Sequence, residues 1–274
     1  MPKILFQHIA KTAGTSLIAG LTGVFGKRTC PVRYDDELTP DLMRDDAYAF
    51  YHGHFSFDKV AEFRRLVPDL VVFTFIRHPV DRVISQYFNW IDEERTRAEY
   101  EAIEARGVFS KEHVEARLAK FSGQIAKMSL GDFIQSDDRM VMEVTLNHQT
   151  RYLSSREVFR QQPLKGLDEA ASNLTRFYDF VGLTEHYETS VRLLEKRLDL
   201  RAGTLRADER RNVNDAHKRD GRYAITPGDL RLLLTHVQLD LALFSYYAGV
   251  FRERNGLLAE VQDHLFANIA VVKP

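Results

Sequence analysis

The run Leu70-Val-Val-Phe-Thr-Phe-Ile76 limits what this chain can fold into more than any other stretch. A strand with one face in water alternates polar and apolar side chains. Only Thr74 interrupts the apolar character here, so the run predicts a strand covered on both faces, as central strands of helix-wrapped parallel sheets are. It stops at Arg77-His78-Pro79, and Val80 to Ile91 then reads as a helix with Val83, Ile84, Tyr87 and Ile91 on one side. Pro79 suits that helix's first turn. This strand–loop–helix unit presents Arg77 at the carboxyl end of a central strand, the edge where open α/β sheets bind ligands.

A second such unit opens the chain. Lys3 to Gln7 is short and apolar, and Ser16 to Phe25 carries Leu17, Leu21 and Val24 at helical spacing. Between them lies His8-Ile-Ala-Lys-Thr-Ala-Gly-Thr-Ser16. A loop of this kind points backbone N–H groups and a helix N-terminus at its ligand, which favours an anion. Gly14 permits a turn and a close approach. Lys11 adds a charge, and Thr12, Thr15 and Ser16 add hydroxyls, so phosphate or sulfate is the natural guest. The nucleoside-triphosphatase loop has its Lys after the last Gly; here Lys11 precedes Gly14. Read alone, the loop is also compatible with a plain βα turn capped by Ser or Thr.

The remainder supports an α/β reading. Ala47 to Tyr51 predicts a short strand ending in His52-Gly53-His54. Alternate residues of a strand end face one way, so both histidines could serve one site; the bland alternative is two loop histidines. A zinc pair lacks a cysteine or acidic partner. Gly26 to Met43 reads as loop with a short helix after Thr39, and Asp58 to Leu66 as a helix. Asp92 to Lys120 is charged and helical by pattern, and segment 92–129 is read as a helical insertion near an acceptor site or a solvated excursion. Lys165 to Phe177 predicts a helix, Tyr178 to Val181 a strand ended by Gly182, and Glu185 to Leu198 an amphipathic helix. Segment 201–225 is polar and basic, with Arg206, Arg210, Arg211, Lys218, Arg219 and Arg222; long loops of this type are often functional. Thr226 opens a helix striped by Leu230, Leu233, Val237, Leu241 and Phe244, and a last helix is expected from Arg254 to Ala267. With no interdomain linker, residues 1–274 are expected to form one domain.

A net charge of −1 gives no general attraction to nucleic acid. Cys30 is the only cysteine, so no intrachain disulfide can form. The absence of a leader pattern at the start and of any run of about 18 apolar residues leads to the expectation of a cytoplasmic protein without a transmembrane segment. No acidic cluster adjoins the motifs, so no metal is expected.

The paired units resemble the two cofactor loops of sulfotransferases. His8 to Ser16 is similar to their loop for the 5′-phosphosulfate, and Phe75-Ile-Arg-His-Pro-Val-Asp-Arg-Val-Ile-Ser85 to their 3′-phosphate segment. Tyr51-His-Gly-His-Phe55, Asn147-His-Gln-Thr-Arg-Tyr-Leu153 and Tyr178-Asp-Phe-Val-Gly-Leu-Thr-Glu185 resemble the carbohydrate type that includes the uronyl and heparan sulfate 2-O-sulfotransferases. The resemblance runs from about residue 3 to 250 and is weakest over Asp92 to Ser129. It implies a P-loop-like central parallel sheet flanked by helices. It implies the donor 3′-phosphoadenosine-5′-phosphosulfate (PAPS), the product 3′,5′-adenosine bisphosphate (PAP), and a sugar or glycan hydroxyl as acceptor. Lys11 would sit at the bridging oxygen; Thr12, Ala13, Gly14, Thr15 and Ser16 would hold the 5′-phosphate; Arg77 and Ser85 would hold the 3′-phosphate. His54 matches the catalytic base, with His52 beside it. The 2-O-sulfotransferases carry Arg where this chain has His8, which leaves His8 either a sulfuryl contact or a strand-end residue. Arg151 could meet an anionic acceptor or pair with a carboxylate.

Sulfuryl transfer, like phosphoryl transfer, is catalysed mainly by positioning and electrostatic stabilisation. Lys11 is suited to neutralise charge on a leaving phosphate, and a histidine is suited to take a hydroxyl proton near neutral pH. The competing readings are a kinase-like ATP enzyme and a non-enzymatic binder of nucleotide or sulfated glycan.

Overall fold

Four short parallel strands form one sheet, and the computed structural model describes residues 2–105, 110–205 and 225–257. In chain order the first elements are β1 (Ile4–Gln7), α1 (Gly14–Phe25), α2 (Pro40–Arg44), β2 (Phe50–Gly53), α3 (Phe57–Leu66), β3 (Val71–Ile76) and α4 (Pro79–Trp90). The helices α5 (Glu93–Ala105), α6 (Lys111–Gly123), α7 (Leu130–Ile134), α8 (Arg139–Thr145), α9 (His148–Tyr152), α10 (Arg156–Gln161) and α11 (Pro163–Arg176) follow. Then come β4 (Phe180–Leu183), α12 (Tyr187–Arg197), α13 (Pro227–His236) and α14 (Gln238–Arg254). Among the described residues no helix is long and apolar enough to cross a membrane.

The strand order is β2-β1-β3-β4, so the apolar run of β3 pairs on both sides, with Phe6 opposite Phe73 and Val181 opposite Thr74. One sheet face packs Leu5, Tyr51, Val72 and Val181 with Val60 and Phe63 of α3, Leu174 of α11 and Phe244 of α14. The other packs Phe6, Phe50, Phe73 and Phe75 with Leu17 and Leu21 of α1 and Val191 of α12. Thr74, the polar exception, is buried and donates its hydroxyl to the Gln7 carbonyl at 2.8 Å. Burying a hydroxyl is tolerated when it finds such a partner.

The chain gathers into two compact units. Among the described residues the first comprises 2–79, 147–205 and 238–257, and contains the whole sheet. The second comprises 80–105, 110–146 and 225–237. Its described core brings Trp90 against Phe121 and Phe133, at ring separations of 5.1 and 5.8 Å. The boundaries among the described residues, after 79, 146 and 237, fall at helix starts and carry no linker composition, so the sequence shows no seam.

Four local expectations are corrected. The second strand is Phe50–Gly53, not Ala47–Tyr51, because pairing with β1 sets its register from Ile4↔Phe50 to Gln7↔Gly53. His52 and Gly53 are therefore strand residues. The stretch 26–43 is more ordered than a loop: it has short 3-10 turns, and Thr29 and Tyr34 bridge to Phe50 and His54 beside β2. The helix expected through Phe244 breaks at Val237 into α13 and α14, since the Asn147 side chain accepts from the Leu239 and Asp240 N–H groups at 2.9 and 3.2 Å. α14 then ends at Arg254, and the remainder of the expected last helix, 258–267, lies outside the described residues, as does most of the basic segment with Arg206 to Arg222.

Gly182 lies inside β4 rather than ending it, because the Phe75 ring fills the space where its Cβ would be. Gly182→Ala is expected to cost roughly 1–3 kcal/mol through overpacking. The expected readout is a lower denaturant midpoint at unchanged slope; an unchanged midpoint would show that the ring has room to move aside.

Candidate active site

The carboxyl ends of β1, β2 and β3 meet at one edge of the first unit. After Gln7 the chain leaves the sheet, and Lys11 and Ala13 adopt left-handed φ values of 70° and 63°. Such values strain residues other than Gly and tend to persist where a ligand site requires them. They turn the chain straight into α1, whose start has no side-chain cap, so its first N–H groups are presented by the backbone alone. A Cβ on Gly14 would fall inside the His8 imidazole, which is why only Gly lets ring and loop pack together. Thr12 is buried, and its hydroxyl donates to the Ile9 carbonyl at 2.8 Å. What Thr12 can offer an anion is therefore its N–H rather than its O–H. Thr15 is exposed and Ser16 nearly buried in the first turn.

Arg77, just past β3, reaches back to this loop, with Nη1 donating to the Lys11 carbonyl at 3.3 Å. Its own backbone is clamped: Gln149 Oε1 accepts from the Arg77 N–H at 2.9 Å, and Gln149 Nε2 donates to the Arg77 carbonyl at 2.8 Å. The next N–H, of His78, donates to Glu185 Oε1 at 2.7 Å. Lysine and guanidinium thus lie beside the same loop, an arrangement suited to more than one phosphate or sulfate group.

The histidines form the other half of the site. His52 is only 4% exposed and stacks on Phe50, ring centroids 5.1 Å apart. His54, at the strand exit, is half-buried; its ring lies 4.7 Å from that of His8 and 6.0 Å from Tyr34. His54 Nδ1 is 2.8 Å from the His8 carbonyl oxygen. A carbonyl only accepts, so Nδ1 carries the proton in the neutral ring and Nε2 holds the lone pair. The tautomer that can act as a base through Nε2 is thereby selected.

His8 itself is held neutral. Burial is the largest cause of its lowered pKa, followed by His54, His52 and Lys11. The unfolded ring takes up a proton near pH 6.5, while the native ring resists. Native stability is therefore expected to fall as pH drops below about 6.5, levelling only where native His8 protonates. His8→Gln should flatten that slope in thermal melts taken from neutral down to about pH 5; an unchanged slope would assign it to other groups.

The structure brings Lys11, Thr12, Ala13, Gly14, Thr15, Ser16, Arg77, His52 and His54 to the ends of paired strands in one unit. Ser85 is half-buried further along α4, in the second unit. Arg151 Nη2 lies 3.5 Å from His148 Nδ1. Sequence reasoning passed over Gln149, Glu185 and Asp240. The first two sit inside motifs whose pattern was visible but whose targets are backbone groups, and Asp240 carried no signal. Among the described residues no group of three or more His, Cys, Asp or Glu side chains is arranged to hold a metal ion.

The first unit thus sets a loop with a lysine and an arginine beside it next to a strand end that carries an oriented imidazole. The model of the sulfotransferase family matches residues 2–247, a span holding both loops and the histidines, and the chain belongs to that family. Its chemistry is sulfuryl transfer to a hydroxyl acceptor. No curated protein matches the chain.

Proposed function

We propose that this protein is a PAPS-dependent O-sulfotransferase that uses His54 as general base toward a carbohydrate hydroxyl. The donor, when bound, supplies an activated sulfuryl group on a phosphate leaving group. The residues present fit such a donor: the start of α1 carries no side-chain cap, and the Arg77 guanidinium touches the backbone of the Lys11 loop. In this reading Lys11 stabilises charge at the bridging oxygen. The N–H groups from Thr12 to Ser16 hold the 5′-phosphate, and Arg77 holds the 3′-phosphate. His54 Nε2 takes the acceptor's proton, and His52 backs its neighbour from within β2.

The observation that carries the reading is the bond between His54 Nδ1 and the His8 carbonyl at 2.8 Å. It fixes the ring of a candidate base through Nδ1, at the sheet edge that carries the anion loop. The carbohydrate acceptor rests on the likeness of Tyr51–Phe55, Asn147–Leu153 and Tyr178–Glu185 to the carbohydrate type.

The test is ligand choice. A ligand that binds only the native state raises the melting temperature by mass action. PAP is expected to raise it well above the shift from equal concentrations of AMP or ATP, and turnover is expected to survive a chelator. Equal shifts from ATP and PAP would overturn the donor assignment, and an absolute magnesium requirement would favour a kinase-like enzyme.

A further inference from the structure

Arg77 is the first residue of its strand unit without a neighbour in the sheet ladder: β3 pairs with β4 only as far as Ile76↔Leu183. Beyond that point a backbone is free to choose its exit, and the reach of an arginine side chain depends on that choice. Here the choice is made by Gln149, 1% exposed, whose amide meets both the N–H and the carbonyl of Arg77 at 2.9 and 2.8 Å. A primary amide carries a donor and an acceptor in one plane, the pair a neighbouring strand would offer; neither a carboxylate nor an alkyl chain supplies both.

Gln149 is itself held from far along the chain. Asp240, also 1% exposed, accepts from the Gln149 N–H at 3.0 Å, the Thr150 N–H at 2.7 Å and the Thr150 hydroxyl at 2.7 Å. It thereby caps the start of α9. Asn147 returns the favour at the start of α14 through the Leu239 and Asp240 N–H groups. Two helix starts cap each other, and their shared product is a fixed Gln149 amide. Buried polar groups satisfied this fully rigidify what they touch.

We infer that Gln149 is a positioning residue for the anion site at Arg77, and that Asp240 holds Gln149 in place. The inference rests on the proposed donor. By fixing the Arg77 backbone, Gln149 sets where the guanidinium stands relative to the Lys11 loop, and so the spacing at which one nucleotide's two phosphates are met. Ordering that side chain before the ligand arrives lowers the cost of binding.

The experiment is calorimetric titration of PAP, AMP and ATP into wild type, and of PAP and AMP into Gln149→Met, Arg77→Ala and the double variant, with Asp240→Asn in parallel. Met matches Gln in length and makes neither bond. Gln149→Met is expected to weaken PAP on the order of tenfold, within the coupling typical of contacting residues, and to leave AMP, which has no 3′-phosphate, nearly unchanged. In turnover the KM for the donor should rise while kcat holds. In the Arg77→Ala background Gln149→Met should cost little more. Asp240→Asn should show the same pattern more mildly, and it carries the measurement if Gln149→Met fails to fold. Wild type that does not prefer PAP over ATP would remove the donor assignment and this inference with it. Wild type that does, beside folded variants with normal PAP affinity, would overturn the inference alone. Equal losses of PAP and AMP, or an additive cost in the double variant, would show general damage and overturn it too.

Discussion

His54→Ala is expected to lower turnover by about a hundredfold or more, the usual scale of a removed general base, while PAP affinity stays near that of wild type. The argument is geometric. The His8 carbonyl holds the proton of His54 on Nδ1, so the neutral ring presents Nε2 as acceptor. A sugar hydroxyl is a poor nucleophile until its proton is taken, and imidazolium cannot take it. Turnover should therefore decline on the acid side of its pH profile, and the variant should lose that limb. His52→Ala is the control: that ring is buried against Phe50, so its loss should act through packing and cost less. Near-normal turnover in His54→Ala, beside an inactive His52→Ala or His8→Ala, would move the base elsewhere.

Lys11→Gly should separate stability from activity. Lys11 is held at φ 70°, where a side chain costs about 1–2 kcal/mol and Gly costs nothing steric. The variant should melt no lower than wild type, even though a charge next to a buried histidine has been removed. Turnover should nevertheless fall on the order of a hundredfold to a thousandfold, as when one preorganised stabiliser of developing charge is lost. Backbone strain kept at a non-glycine residue of the anion loop is what a functional requirement looks like. Single-turnover rates with saturating donor give the decisive measure. A variant that is both less stable and only mildly slower would make Lys11 a structural residue.

How much of this was legible in the chain divides along a physical line. Periodicity and punctuation are local, and they sufficed for the strand–loop–helix units around Lys11 and Arg77, the central place of Leu70–Ile76, and the α/β class. A buried strand must be apolar on both faces, and a βα turn that meets an anion needs Gly14 and N–H groups wherever it occurs. The motifs also brought His54 to notice, because chemistry of that kind uses few residue types.

What depended on partners distant in sequence was not legible. The register of β2 follows from its pairing with β1, which moved the strand from Ala47–Tyr51 to Phe50–Gly53 and buried His52. The break at Val237 follows from Asn147, some ninety residues earlier. Gly182 reads as a strand end until Phe75 is seen to occupy its Cβ position. The tautomer of His54 comes from a backbone carbonyl, and the stance of Arg77 from Gln149 and Asp240. A hydrogen bond to backbone asks nothing of its partner's residue type, so it leaves no trace in the partner's sequence. Local pattern therefore determined which groups this protein brings to its sheet edge, and only the tertiary fold decided which way they face.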